Sequence, residues 1–87
     1  MKVSNMVGRT GKPVANQFIV EGDTGVEYFQ SYDSVIVRRD GSLIALDSQY
    51  WDYSVTTGKY RNQFLDETKQ ETQAKIDSGE YILTNLN

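Results

Sequence analysis

Apolar and aromatic residues recur in four short runs in the first half of the chain, at residues 17–21, 26–32, 35–39 and 42–46. Residues that favour turns separate the runs, and the first gap, Gly22–Gly25, holds two glycines and an Asp. The Asp40-Gly41 pair is a strong hairpin signal, because a type I′ turn needs positive φ at both central residues. The pattern predicts a four-stranded antiparallel meander.

The period changes from strand to helix in the second half. Tyr60 and Phe64 lie four residues apart and so share one helical face. Ser54, Thr56 or Thr57 is expected to cap this helix. Asp66 is expected to cap a second helix over residues 67–78, which Gly79 would end and a short strand or packed tail over residues 80–83 would follow.

These elements predict an α+β fold, with a small antiparallel sheet of about four strands and one or two C-terminal helices on one face. Residues 1–15 contain Gly8, Gly11 and Pro13, which interrupt any period. They are therefore expected to form a flexible or docked basic arm, and residues 16–87 a single domain.

The composition excludes several classes of function and says less about the fold. The 87 residues include no cysteine and no histidine, which excludes disulfides, Cys/His zinc sites and catalysis by imidazole. No apolar run approaches the length of a membrane span, and the first ten residues lack the apolar core of a secretory signal. We therefore expect a cytoplasmic protein, with no enzymatic activity and no cofactor.

Carboxylates are the first candidates for chemistry. Asp47 and Asp52 flank an aromatic cluster, and a buried pair of this kind can support acid–base catalysis. The alternative is that one ends a strand and the other caps a turn. Asp23, Asp33 and Asp40 could in principle hold a hard cation, but their spacing matches no calcium loop and turn formation explains each of them. No metal site is expected.

Two basic segments have a functional and a structural interpretation. Residues 8–12 (GRTGK) partly match a phosphate-binding loop, but they lack its full spacing and favour a basic arm. Aromatic and basic residues interleave nearby in a pattern that can bind nucleic acid or build the core, at Tyr50, Trp51, Tyr53, Lys59, Tyr60 and Arg61. A net charge of −3 disfavours direct nucleic-acid binding.

The last third of the chain is acidic. Five acids stand against two bases in residues 62–87, and the acids are Asp66, Glu67, Glu71, Asp77 and Glu80. On a helix, Glu71 and Lys75 are expected to attract each other at a spacing of four residues. The acids form either an ordinary solvated face or a surface that meets a basic groove on a partner.

Several sequence blocks resemble small phage- and mobile-element-encoded proteins. The blocks are WDYSVTTGKYRNQFL at residues 51–65, KIDSGEYILTNLN at residues 75–87, NQFI at residues 16–19 and YFQSY at residues 28–32. The resemblance implies a phage gene expressed in a bacterial cytoplasm, a setting in which small acidic proteins inhibit host defence, as anti-CRISPR proteins do. It carries no catalytic residues over to this chain.

The combined expectation is a non-enzymatic inhibitor, a monomer or homodimer, that binds a host CRISPR effector such as a Cas9-type nuclease. The predicted contact residues are the five acids, with Tyr50 or Trp51 as an aromatic anchor. One alternative is a nucleic-acid-binding accessory protein that uses its basic and aromatic residues. Another is a homo-oligomeric structural protein that pairs through an edge strand, either Gln17–Glu21 or Tyr81–Leu83.

Overall fold

Six strands form one sheet in the computed structural model, which describes residues 1–87, and their spatial order is their order along the chain. Two helices lie between the fifth and sixth strands in the sequence. The elements are β1 (Lys2–Val7), β2 (Pro13–Glu21), β3 (Glu27–Ser31), β4 (Ser34–Asp40), β5 (Leu43–Asp47), α1 (Val55–Leu65), α2 (Lys69–Asp77) and β6 (Ile82–Thr84). The α+β class is confirmed, with two strands more than expected.

The meander is confirmed as β2 to β5, in which every neighbouring pair is antiparallel. The turn between β4 and β5 differs from the expected type. Asp40 pairs with Leu43, so Gly41 and Ser42 are the central residues, and only Gly41 has positive φ, at 60°. That pattern belongs to a type II′ turn, where glycine occupies the first central position. The type I′ prediction is wrong.

Residues 1–15 are not the loop-like arm that the sequence predicted. Residues 2–7 form β1, which pairs with β2 along its length and buries Met6 in the core. Gly8 and Gly11 close a hairpin loop, in which the Gly11 N–H donates to the Gly8 carbonyl over 3.0 Å. The proposed boundary at residue 16 falls inside β2, so the glycines and proline that suggested an arm mark a turn between two strands.

The last strand makes the sheet mixed. Tyr81 precedes β6, which runs parallel to β5 and pairs Leu83 with Leu46. A parallel pair needs a crossover connection, and both helices serve as that connection. The expectation of a final short strand or tail is confirmed as a strand, whereas the expectation of a purely antiparallel sheet is wrong.

Capping residues set where each helix begins and ends. Ser54 caps α1 by accepting the Thr57 N–H over 3.1 Å, as one of the three predicted candidates. Asp66 does not begin the second helix. It ends α1 in a left-handed conformation with φ of 55°, which a short polar side chain tolerates. Thr68 caps α2 instead, through a capping box with Glu71.

The core lies between the helices and one face of the sheet. Phe29, Val37 and Leu46 stand opposite one another on β3, β4 and β5, and each is completely buried. Phe64 of α1 stacks on Phe29 with ring centroids 5.9 Å apart. Tyr28, Arg38 and Ala45 pair with one another at the neighbouring positions, lie on the other face and stay partly exposed.

One polar side chain in this core has no partner. Gln17 is fully buried opposite Ser31, and neither its amide oxygen nor its amide nitrogen makes a hydrogen bond. A buried amide without a partner keeps the cost of leaving water and gains nothing in return. Gln17 is thus a weak point of the fold.

We expect Gln17→Met to raise the free energy of unfolding by about 1–2 kcal/mol, because Met keeps the length of the side chain and removes the buried amide. Chemical denaturation would measure the change, with Gln70→Met on the exposed side of α2 as the matched control. A less stable Gln17→Met protein would contradict this assignment.

Candidate functional site

The seven predicted contact residues do not form one surface. Tyr50 and Trp51 belong to the segment that follows β5, and both pack partly buried against the core. The Tyr50 ring meets the Tyr53 ring edge-on, with centroids 5.7 Å apart. Of the two predicted anchors, Trp51 is occupied by an intramolecular contact, since its ring lies 5.1 Å from the Arg61 guanidinium carbon.

Arg61 is a structural cation and not a surface one. Its side chain is 1% exposed. It donates to the Trp51 carbonyl over 2.6 Å, to the Asn62 side chain over 3.0 Å and to Asp52 over 3.4 Å. Trp51, Tyr60 and Arg61 therefore join the helical layer to the sheet, as the core interpretation of the cluster has it, whereas Tyr53 and Lys59 stay exposed.

Asp52 links the two helices. Its other oxygen lies 2.6 Å from the Lys69 ammonium at the start of α2, while Arg61 comes from α1. Partial burial raises the pKa of Asp52, but hydrogen bonds and charge from Lys69 and Arg61 outweigh burial and lower the pKa overall. The ionised carboxylate pairs with both cations and leaves one of their two positive charges uncompensated.

Asp47 has no catalytic partner either. It is 1% exposed, and its carboxylate accepts the N–H groups of Gln49, Tyr50 and Leu86 and the Asn87 side-chain amide. Burial raises its pKa, yet these four donors together lower it. General acid catalysis by a carboxyl group needs a raised pKa. Asp47 and Asp52 are each ionised and engaged with separate partners, so they do not form a catalytic pair.

Glu67 is not available to a partner. Its side chain is only 3% exposed, and it lies 2.7 Å from the Lys75 ammonium. It also accepts the Thr72 hydroxyl over 3.0 Å. Burial raises the pKa of Glu67, but the hydrogen bonds from Lys75, Tyr81 and Thr72 lower it overall. In the opposite direction, the contacts with Glu67 and Tyr81 raise the pKa of Lys75. The Glu67 carboxylate is therefore too buried to contact a partner protein in the way that the sequence predicted.

Four of the predicted acids remain exposed and make no ion pair. They are Asp66, Glu71, Asp77 and Glu80, which we call the acidic surface. Glu71 accepts the Thr68 N–H, which leaves its charge uncompensated. Glu71 does not pair with Lys75, because Lys75 reaches inward to Glu67 instead.

The acidic surface surrounds α2 and does not run along it as a stripe. Asp66 and Glu71 lie at the N-terminal end, and Asp77 and Glu80 lie at the C-terminal end. The outward side of the helix between them carries the uncharged residues Gln70, Gln73 and Ala74. Glu71 and Asp77, the members of the two pairs that lie within α2, are six residues apart, so about 9 Å of helix separates them.

Most of the bases that form no ion pair lie in the β1–β2 hairpin, and one, Lys59, lies on α1. Lys2, Arg9 and Lys12 belong to the β1–β2 hairpin, and none of them forms an ion pair. The C-terminal end of α2 meets the opposite edge, where the Tyr81 N–H donates to the Lys75 carbonyl over 3.0 Å. Five strand spacings of about 4.8 Å, about 24 Å in all, separate β1 from β6.

The remaining arginines are used internally. Arg39 forms an ion pair with Glu27 at 3.0 Å, donates to the Phe64 carbonyl, and stacks 4.2 Å from the Phe64 ring. Arg38 lies 3.5 Å from Asp40. These contacts engage Arg38 and Arg39 within the sheet and its helical layer, away from a shared nucleic-acid-binding patch.

The turn aspartates do not converge. Asp23 pairs with the N-terminal ammonium at 2.7 Å and Asp40 with Arg38, while Asp33 has no ion pair. No three acidic side chains come close enough together to hold a metal ion. Neither helix has the length and apolar composition that crossing a bilayer requires.

Fold and surface together define a small α+β domain with a six-stranded mixed sheet, a helical layer on one face and a segregated charge distribution. The chain belongs to the DUF8033 family, a family of unknown function, whose model matches residues 1–80. No curated protein and no solved structure matches the chain. The family description names no activity, so a function has to be argued from the geometry.

We expect Glu67→Gln to lower the free energy of unfolding by about 1.5–3 kcal/mol at pH 7, the range for hydrogen bonds to a charged group. The pKa of Glu67 is lower in the native state than its ordinary value of 4.5. The stabilisation that Glu67 contributes to folding is therefore complete above pH 4.5 and is lost as the pH falls through the native pKa. The difference between parent and variant should therefore shrink below pH 4.5.

Urea denaturation at a series of pH values would measure this difference. Glu71→Gln is the matched control, since glutamine can also complete a capping box and Glu71 has no cationic partner. Equal stabilities of the Glu67→Gln and Glu71→Gln proteins at pH 7 would contradict the assigned roles.

Proposed function

We propose that the protein is a non-enzymatic inhibitor that binds the Lys/Arg-lined nucleic-acid site of a partner protein through the acidic surface. The observation that carries the proposal is the pattern of charge compensation around α2. Lys69 and Lys75 pair with Asp52 and Glu67, whereas four acids on the same side are exposed and unpaired. Asp52 also pairs with Arg61, so one positive charge is left over against four exposed acids, and the net charge on this side is negative.

The dimensions of the acidic surface suit a site built for a phosphate backbone. Successive phosphates of one DNA strand are about 3.4 Å apart along the axis, so the roughly 9 Å between Glu71 and Asp77 corresponds to between two and three steps. Complementary surfaces of opposite charge also steer association and raise its rate.

The particular partner that we propose is a CRISPR effector nuclease of the Cas9 type, in the cytoplasm of a bacterial host. The support is the resemblance of the WDYS and SGEY blocks to small phage-encoded proteins, together with the chemistry of the target. Such nucleases hold target DNA in a positively charged channel and read its flanking motif with arginines. The acidic surface would compete for that channel.

We expect the triple variant Glu71→Gln, Asp77→Asn and Glu80→Gln to inhibit DNA cleavage by a Cas9-type nuclease at least about tenfold less well than the parent protein. Three lost charge contacts at about 0.5 kcal/mol each amount to this factor. The matched control is the triple variant Glu21→Gln, Asp23→Asn and Asp40→Asn. Both variants change the formal net charge from −3 to zero, so only the position of the charge differs.

The parent protein should inhibit near one-to-one when added before target DNA and lose inhibition when DNA is bound first. Circular dichroism would confirm that both triple variants are folded. Equal inhibition by the two variants would refute the role of the acidic surface. No inhibition at large excess would remove the Cas9-type partner.

Direct nucleic-acid binding remains a second candidate, and the unpaired bases of the β1–β2 hairpin favour it. Arg9 and Lys59 line a shared cavity of about 300 Å³ between this hairpin and α1. Gel shifts over a salt series distinguish this function, since phosphate contacts weaken steeply with salt. For self-association, β6 is an edge strand, whereas Gln17–Glu21 lies between β1 and β3 and offers no free edge.

A further inference from the structure

A second surface feature lies away from the acidic surface. A cavity of about 610 Å³ opens between the β3–β4 turn and the segment that leads from β5 into α1. Three tyrosines line it, Tyr32, Tyr50 and Tyr53, and the buried Ile36 lines it as well. We call this cavity the tyrosine cleft.

Tyr32 occupies an unfavourable backbone position. Ser31 pairs with Ser34, so Tyr32 and Asp33 are the two central residues of a tight turn. Tyr32 has φ of 55°, a left-handed conformation that suits glycine and is strained for a bulky side chain. Its N–H donates to the Asn16 carbonyl over 2.7 Å, which holds the strained conformation in place.

The large ring of the strained Tyr32 gains little stability from burial. Its side chain remains in contact with solvent, since the residue is 48% exposed. Strained residues that persist on a surface cluster at ligand sites, where a fixed side-chain position is useful. The Tyr32 position therefore serves the cleft and not the stability of the turn.

Tyr50 and Tyr53 supply two ring surfaces at a steep angle. Their planes are inclined by 73° and their centroids are 5.7 Å apart. Tyr53 is 65% exposed, so its ring is also accessible. Aromatic faces are electron-rich, and cations bind over them within about 6 Å of the ring centre.

Charge in the tyrosine cleft is negative only. Asp33 lines the cleft, forms no ion pair and accepts no hydrogen bond from another residue, and no Lys or Arg lines the cleft. Asp33 is exposed, so its carboxylate can meet an incoming cation. Aromatic faces and a carboxylate together attract a planar cation more strongly than a neutral group.

We infer that the tyrosine cleft binds an arginine side chain of a partner protein. The guanidinium would stack on a tyrosine face and form hydrogen bonds with the Asp33 carboxylate, a combination that arginine satisfies through its flat, fork-shaped group. The site is separate from the acidic surface. It extends the proposed function, and its test does not depend on any particular nuclease.

The test is a titration of the ¹⁵N-labelled protein with the capped tripeptide Gly-Arg-Gly, followed by two-dimensional NMR. The matched ligand carries citrulline in place of arginine, which keeps the shape and removes the charge. We expect shift changes confined to residues 31–36 and 50–56 with the arginine peptide and none with the citrulline peptide.

Two variants identify the groups involved. Asp33→Asn and Tyr53→Leu should each weaken binding of the arginine peptide by about two- to fivefold, the range for one exposed cation–π contact. Asp40→Asn, an exposed aspartate in the next turn, should leave binding unchanged. Tyr32→Gly should bind the peptide less tightly and yet be at least as stable as the parent, because glycine accepts the left-handed conformation.

Equal shifts with the citrulline peptide would overturn the inference, as would shifts that Asp33→Asn and Tyr53→Leu leave unaltered. An absence of shift changes at millimolar arginine peptide would also overturn it. None of these outcomes bears on the acidic surface, whose own test uses different residues and a nuclease assay.

Discussion

The carboxylate of Asp47 is the contact on which both proposed surfaces depend. It sits at the end of β5 and accepts the N–H groups of Gln49 and Tyr50 over 3.0 and 2.8 Å. It also accepts the Leu86 N–H over 2.8 Å and the Asn87 amide over 3.0 Å. One buried anion thus sets where the chain leaves the sheet and where it returns to it.

That arrangement has consequences on both sides of the helical layer. The turn at Tyr50 directs the aromatic segment into the tyrosine cleft and towards the Ser54 cap of α1. The return of the chain beside β5 holds Tyr81 against Lys75, which belongs to α2. A buried carboxylate with four donors is stable only while it is ionised, so the same contact makes the fold sensitive to acid.

Charge on the helices is divided between structural and free groups. The cations Arg61, Lys69 and Lys75 each have an anionic partner, and these pairs hold α1, α2 and the aromatic segment together. The acids left over have no such partner. An excess of uncompensated charge opposes folding slightly, and no ion pair within the fold offsets it at the four acids around α2.

Local signals in the sequence were sufficient for the meander, the Ser54 cap and the glycine that follows α2. The cap of α2 was also visible, since Thr68 and Glu71 have the spacing of a capping box. Asp66 was misassigned because aspartate suits both an N-cap and a left-handed C-cap, and only the fold distinguishes them. Contacts between distant segments, such as Glu67 with Lys75 and Tyr81, are not encoded in any local pattern.

The N-terminal strand could not be predicted from local sequence patterns either. Pro13 and the nearby glycines indicate a break in regular structure, but a break is equally a loop or a hairpin turn. Val3 and Met6 become part of the sheet only because β2 presents an edge to them. The tyrosine cleft could not be anticipated either, since Tyr32 and Tyr53 meet through a turn and a crossover that lie far apart in the chain.

The strand order implies an order of folding. β1 to β5 are joined by short hairpins, so each pairing closes a small loop, whereas Leu46 and Leu83 are 37 residues apart. Closing the longer loop costs more chain entropy, so the pairing of β6 with β5 should form last. The acidic surface lies in the segment between these two strands, so a partner bound across it would also favour the state in which they are paired.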